Sequence, residues 1–272
     1  MDLPLERRWR LVVTPPAPGA WNMAVDEAIV EHHALGVVPP TLRLYGWRPA
    51  AISLGYFQSL AAEVDVQACA REGVDVVRRP TGGRAILHDR EVTYSVVIAE
   101  RLLPGDVVHT YRVLSLGLLA AVRRLGVAAE LADVPPVGAG GPTAACFDTP
   151  ARYELEVGGR KLVGSAQTRR EGVILQHGVV PFDLQAERLF LMLRVSADRG
   201  ALARTLEQRA TDLGRCMGRT PSVEEVQEAL AGGFAGALGL ELTAAPLSEG
   251  ELRRAAELAG RKYGQPHWNE RR

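Results

Sequence analysis

The chain has 272 residues, 47% of them hydrophobic and 24% charged, a balance that fits a soluble globular protein with room for a real core and excludes disorder or a membrane class. Lys+Arg and Asp+Glu both total 32, so the net charge is zero, which argues against wholesale nucleic-acid binding. The cysteines, Cys69, Cys146 and Cys216, are far apart and odd in number, which leaves neither a disulfide framework nor a CxxC metal site.

In chain order, the opening MDLPLERRWR is followed by no apolar run, so no secretory signal is read and a cytoplasmic location is expected. Residues 22–35 read as a helix capped by Asn22 and closed by Gly36, with Ala24, Val25, Ala28 and Ile29 as its apolar stripe. Strand-like runs follow at 41–47, where Leu42 and Leu44 alternate with Arg43 and Tyr45, and at 51–57. A short helix over 65–72 leads to strands at 74–79, 84–87 and 92–99, broken by Pro80 to Gly83. Residues 109–125 form an amphipathic helix ending at Gly126. The Gly/Pro-rich stretch 132–142 is a surface loop that delivers the chain to Cys146. Gly158-Gly159 then marks a two-residue hairpin between 153–157 and 160–164, followed by a strand over 173–180. After Pro181 the pattern turns helical, with capping boxes at Ser222 to Glu225 and Ser248 to Glu251. The expected fold is therefore α+β, a catalytic body over 1–185 with a helical C-terminal extension over 186–272 packing on it.

Three segments carry candidate chemistry. In Arg78-Arg79-Pro80-Thr81-Gly82-Gly83-Arg84, adjacent glycines allow close approach of a ligand to the backbone and arginines offer donors for an anion. Read alone, the segment fits an ordinary Gly-Gly hairpin with solvated arginines better. In the second, Lys161 lies across from Glu156, consistent with an ion pair on a solvated face. Gly164, Ser165 and Ala166, however, are three small residues in a row within a strand, which a ligand groove would explain. The third is Cys146, whose loop position suggests an exposed thiol, whereas Cys69 and Cys216 read as structural. Only Lys161 and Lys262 are lysines in a chain that otherwise uses arginine, so a compact ammonium at 161 stands out.

Taken together, Arg-Arg-x-Thr-Gly-Gly-Arg-Ala at 78–85 with His88, Lys161 before Gly164-Ser165-Ala166-Gln167, and Gln176-His177-Gly178 resemble the catalytic domain shared by lipoate-protein ligase A, biotin-protein ligase and octanoyltransferases. Trp21-Asn22-Met23-Ala24-x-Asp26-Glu27 is similar to that family's first helix, and Lys262-Tyr263 to Trp268-Asn269 to its C-terminal end, so the likeness covers nearly the whole chain. Ala145-Cys146-Phe147, Pro150 and Tyr153-Glu154 resemble the octanoyl-[acyl-carrier-protein]:protein octanoyltransferase branch, and Arg84 stands where ATP-dependent lipoate ligases generally show a third glycine.

The resemblance implies a mixed and antiparallel sheet of the biotin/lipoate-protein ligase type. It implies an acyltransferase of lipoate biosynthesis that moves octanoyl from acyl carrier protein, through a thioester on Cys146, to a lipoyl-domain lysine of a protein such as glycine cleavage H protein. Lys161 would lower the pKa of Cys146. Gly82, Gly83, Arg84 and Gly164 to Gln167 would line the acyl tunnel, Arg78 and Arg79 would meet the pantetheine phosphate or the carrier, and His88 and His177 are candidate proton acceptors. No cofactor or metal is expected, because the octanoyl-phosphopantetheine is substrate; nor is a nucleic acid or membrane partner. The alternatives are an ATP-dependent lipoate-protein ligase, an octanoyl amidotransferase working between lipoyl domains, and a catalytically idle binding module.

Overall fold

The computed structural model describes residues 6–132 and 153–271. Its strands are β1 (Arg8–Val13), β2 (Thr41–Tyr45), β3 (Ala51–Leu54), β4 (Asp75–Arg78), β5 (Ile86–His88), β6 (Glu91–Ala99), β7 (Glu130–Leu131), β8 (Leu155–Val157), β9 (Arg160–Arg170), β10 (Val173–Pro181) and β11 (Glu241–Ala244). Its α-helices are α1 (Gly19–Ala34), α2 (Leu60–Glu63), α3 (Val66–Arg71), α4 (Val107–Arg124), α5 (Ala186–Leu191), α6 (Arg199–Arg209), α7 (Leu213–Met217), α8 (Val223–Leu238), α9 (Glu249–Leu258) and α10 (Pro266–Asn269). None of the described helices is long and apolar enough to cross a membrane.

The main sheet runs β11-β1-β2-β6-β10-β9-β8-β7 and a small one runs β4-β3-β5. Pairing is parallel for β11, β1 and β2 and antiparallel from β2 to β7, so the α+β expectation holds. Leu42, Leu44 and Tyr94 on one face pack with Leu114, Leu118 and Phe234 of α4 and α8. On the other face, Tyr45 and Leu175 pack against Met23, Ala28 and Ile29 of α1 together with Ala255 and Tyr263. Both faces of the sheet are thus covered, and every residue of β2, Arg43 included, is buried. A third core joins the small sheet to α5 and α6 through Ile52, Ile86, Leu189 and Leu206.

Two local expectations change. Helix α1 begins at Gly19, three residues before Asn22, and Asn22 is not its cap: buried within the first turn, its side-chain amide donates to the carbonyls of Ala17 and Gly46. The segment after 185 is helical except for β11, which extends the main sheet beside β1. The hairpin at Gly158-Gly159 forms with both glycines at positive φ. Ser248 and Glu251 make the full capping box. At Ser222 only half of it forms, because the Glu225 carboxylate turns to Arg219.

Candidate active site

A cavity lies between the main sheet, α1 and the small sheet. It crosses the sheet, from Gly164 to Ala166 of β9, under His177 to Val179 of β10, past Thr93 of β6, to Tyr45 of β2. At the β9 end Gly83 is exposed and Ser165 and Ala166 are half-buried, whereas Met23, Tyr45 and Trp47 at the β2 end are buried. The cavity therefore opens at β9 and ends blind at β2. Gly178 keeps its floor thin, since a Cβ there would stand 2.4 Å from the Gly164 carbonyl oxygen and 2.6 Å from Ser165 Oγ.

Of the residues expected from the sequence, Arg79, Gly83, His88, Gly164, Ser165, Ala166 and His177 line this one cavity. Gly82, Arg84 and Gln167 border it without lining it: Arg84 lies 3.8 Å from Glu63, and Gln167 donates to Gln176 Oε1 at 3.0 Å.

The arginine pair departs from expectation. Arg78 is fully buried, and its guanidinium donates to the carbonyls of Gly55, Tyr56, Gln58, Trp268 and Asn269, tying the C-terminal end to the loop after β3. Arg79 donates to Ser53 O and Oγ and to the carbonyls of Gly82 and Arg84. Both planar forks hold backbone in place, and Arg79 shapes the glycine loop. Gly55 completes that loop, because a Cβ there would fall 1.9 Å from Gly83 O.

The two histidines are fixed by hydrogen bonds. His88 stacks on Trp47 with ring centroids 4.0 Å apart, and its Nδ1 and Nε2 lie 2.7 Å from Glu91 Oε1 and Ser53 Oγ. Because the Glu91 carboxylate only accepts, the ring proton sits on Nδ1. Thr93 donates to the same carboxylate and accepts from Trp47 Nε1, which locks the tryptophan at the blind end. His177 presents Nδ1 to Asp26 at 3.4 Å and Nε2 to Thr81 Oγ1 at 2.6 Å, so Thr81 of the glycine loop is the donor.

Asp26 is the residue the sequence reasoning passed over as a site member. It accepts from Arg43, Tyr45 and Ser95 as well, all buried. Burial alone would raise its carboxyl, but Arg43 and His177 hold it below the usual carboxylate value. The signal lay in Asp26 beside the apolar stripe of α1 and Arg43 between the leucines of β2, two charges that need each other.

Burial pushes His177 below its ordinary value, with Arg79 and His88 adding to the shift against the pull of Asp26. An unfolded His177 takes up a proton near pH 6.5 and the folded one only at lower pH, so the unfolded state gains protons first and stability falls as pH drops through about 6.5. His33 shifts the same way, also through burial. The denaturant midpoint is expected to fall between about pH 7.5 and 5.5. His177→Gln should fall less over the same range, and a fall equal to wild type would remove His177 from this account.

Lys161 pairs in register with Glu156 as expected, but its partner differs. A β-bulge at Leu155/Glu156 brings Glu154 round, and Lys161 Nζ donates to Glu154 Oε1 at 2.6 Å, with the two side chains 7% and 5% exposed. This is a buried ion pair rather than one on a solvated face. Lys262, the other lysine, likewise meets a buried glutamate, Glu27. Cys146 and most of the loop at 132–142 lie outside the described residues. Cys69 is buried, with its thiol pushed up to about 11 by that burial.

Comparison with known proteins places this architecture. The model of the lipoyl protein ligase A/B catalytic domain matches residues 18–235. An octanoyltransferase LipM of Symbiobacterium thermophilum is 50% identical, covering 98% of this chain and 100% of its own. The same-named protein of Kyrpidia tusciae is 51% identical over 97% and 99%. A bi-partite lipoate protein ligase from Thermoplasma acidophilum superposes with a TM-score of 0.80 at 25% identity, over 98% of this chain and 96% of that one. The chain belongs to the lipoyl protein ligase A/B catalytic-domain family.

Proposed function

We propose that this acyltransferase moves an octanoyl group from acyl carrier protein to a lipoyl-domain lysine through a thioester on Cys146. The observation that carries the reading is the cavity that ends blind beneath β2 and opens beside Gly83 and β9, the strand that also bears Lys161. From β9 to β2 is three interstrand steps, roughly 14 Å at about 4.8 Å each. An extended eight-carbon chain is roughly 9 Å long with bonds of about 1.5 Å, which leaves the remainder for the rings of Tyr45 and Trp47. Burying about six methylenes at ~0.8 kcal/mol each contributes about 5 kcal/mol to holding the acyl group.

In the first step the Cys146 thiolate attacks the donor carbonyl. A new C–S bond forms, the C–S bond to phosphopantetheine breaks, and the departing thiolate takes a proton. In the second, the acceptor amine attacks the enzyme thioester, an amide forms, the amine loses a proton and the Cys146 thiolate leaves. The donor thioester already carries the activation, so neither ATP nor a metal enters, and ping-pong kinetics follow. Lys161, held by Glu154, favours the Cys146 thiolate and the oxyanion of each tetrahedral intermediate. His177 and Arg79 act by fixing the glycine loop, through Thr81 and through the carbonyls of Gly82 and Arg84.

The names of the LipM relatives favour this over the ligase reading that the Thermoplasma structure alone would suggest. Purified protein given octanoyl-acyl carrier protein and an apo lipoyl domain should add one octanoyl mass to the domain. Given lipoate, ATP and the same domain it should add nothing. The reverse pattern makes the chain a ligase.

A further inference from the structure

A second, narrow cavity adjoins the first. The two have Ile86 and Val179 as common wall residues, both buried and both in the core cluster that α5 and α6 complete. Beyond this partition the second cavity is lined by Leu184, Leu189 and Leu206 together with Glu91 and Gln185, and it reaches the surface at the exposed Arg90–Asp183 pair. We propose that Ile86 and Val179 set the upper limit of acyl chain length, by confining the chain to the first cavity and denying it the apolar space next door. This rests on the octanoyl reading above.

The argument is one of where extra methylenes can go. At the blind end Trp47 is hydrogen-bonded to Thr93 and stacked on His88, and Tyr45 is bonded to Asp26, so no ring there yields without breaking a buried polar contact. The partition is different. It consists of two aliphatic side chains with no polar tether, and Leu184, Leu189 and Leu206 stand behind it. Trimming it removes apolar atoms between two existing spaces and exposes no unpaired polar group. A longer tail would bend sideways across the site of Ile86 and lie against Leu189 and Leu206.

The test is competition. Wild type, Ile86→Ala and Val179→Ala are offered equimolar octanoyl- and dodecanoyl-acyl carrier protein with limiting lipoyl domain, and the acylated domain is read by intact mass. The dodecanoyl-to-octanoyl ratio is expected to rise by about tenfold or more, the discrimination that even one or two methylenes carry in an apolar pocket. Adding Leu189→Phe to Ile86→Ala fills the second cavity and should return the ratio toward wild type, a rescue that a merely loosened fold would not give. Should Ile86→Ala fail to fold, Ile86→Val read against decanoyl donor carries the same comparison. Ratios that stay at the wild-type value in folded variants that still transfer octanoyl overturn the partition while leaving the octanoyl reading intact. Wild-type protein that transfers neither acyl group sinks both.

Discussion

Cys146→Ala is expected to abolish both the acyl-enzyme mass and transfer, a loss on the order of 10³-fold or more, because the substitution removes the nucleophile rather than weakening it. An ordinary thiol of pKa about 8.5 is only a few per cent thiolate at neutral pH, so the reaction depends on a site that favours the ion. The other cysteines cannot stand in. Burial raises the thiol of Cys69, on the core side of α3, to about 11, and Cys216 is half-buried with its sulfur 3.6 Å from Thr211 Oγ1. Cys69→Ala and Cys216→Ala should therefore keep the added octanoyl mass that Cys146→Ala loses. An adduct that survives Cys146→Ala and disappears with either of the others would assign the nucleophile elsewhere.

Much of the fold was legible because its signals are local. Gly158-Gly159 fixed a hairpin and with it the register of Lys161, and the spacing of apolar residues over 109–125 marked the helix that spans 107–124. The glycine loop and the three small residues of β9 were legible as places where a backbone is approached, and the cavity does run between Gly83 and Gly164 to Ala166. What escaped depends on partners far along the chain. Arg43 alternates with leucines as a solvent-facing residue would, yet it is buried because α1 brings Asp26 over it. Arg78 reads as an anion donor until the C-terminal carbonyls of Trp268 and Asn269 arrive to claim it. β11 offers four residues amid helices, and only the free edge of β1 makes it a strand. A sequence shows that a charge is present; which distant group neutralises it is a property of the packed molecule.

The Lys161–Glu154 pair separates structure from chemistry most cleanly. With both side chains almost fully buried, Lys161→Met leaves a carboxylate without this ammonium and should cost about 3–5 kcal/mol of stability along with activity. Lys161→Arg is different: a guanidinium can still pair with Glu154, so the melting temperature should stay near wild type. The planar fork nevertheless cannot put a point charge where the ammonium sits, and kcat/KM for octanoyl transfer should fall by about 10²-fold or more. Joining Lys161→Met to Glu154→Gln removes the stranded charge and should recover stability without recovering transfer. That combination, stable yet inactive, is what a positioned cation requires. If Lys161→Arg instead turns over like wild type, the ammonium serves only to neutralise Glu154 beneath the bulge, and the group that activates the thiol has to be sought elsewhere around the cavity mouth.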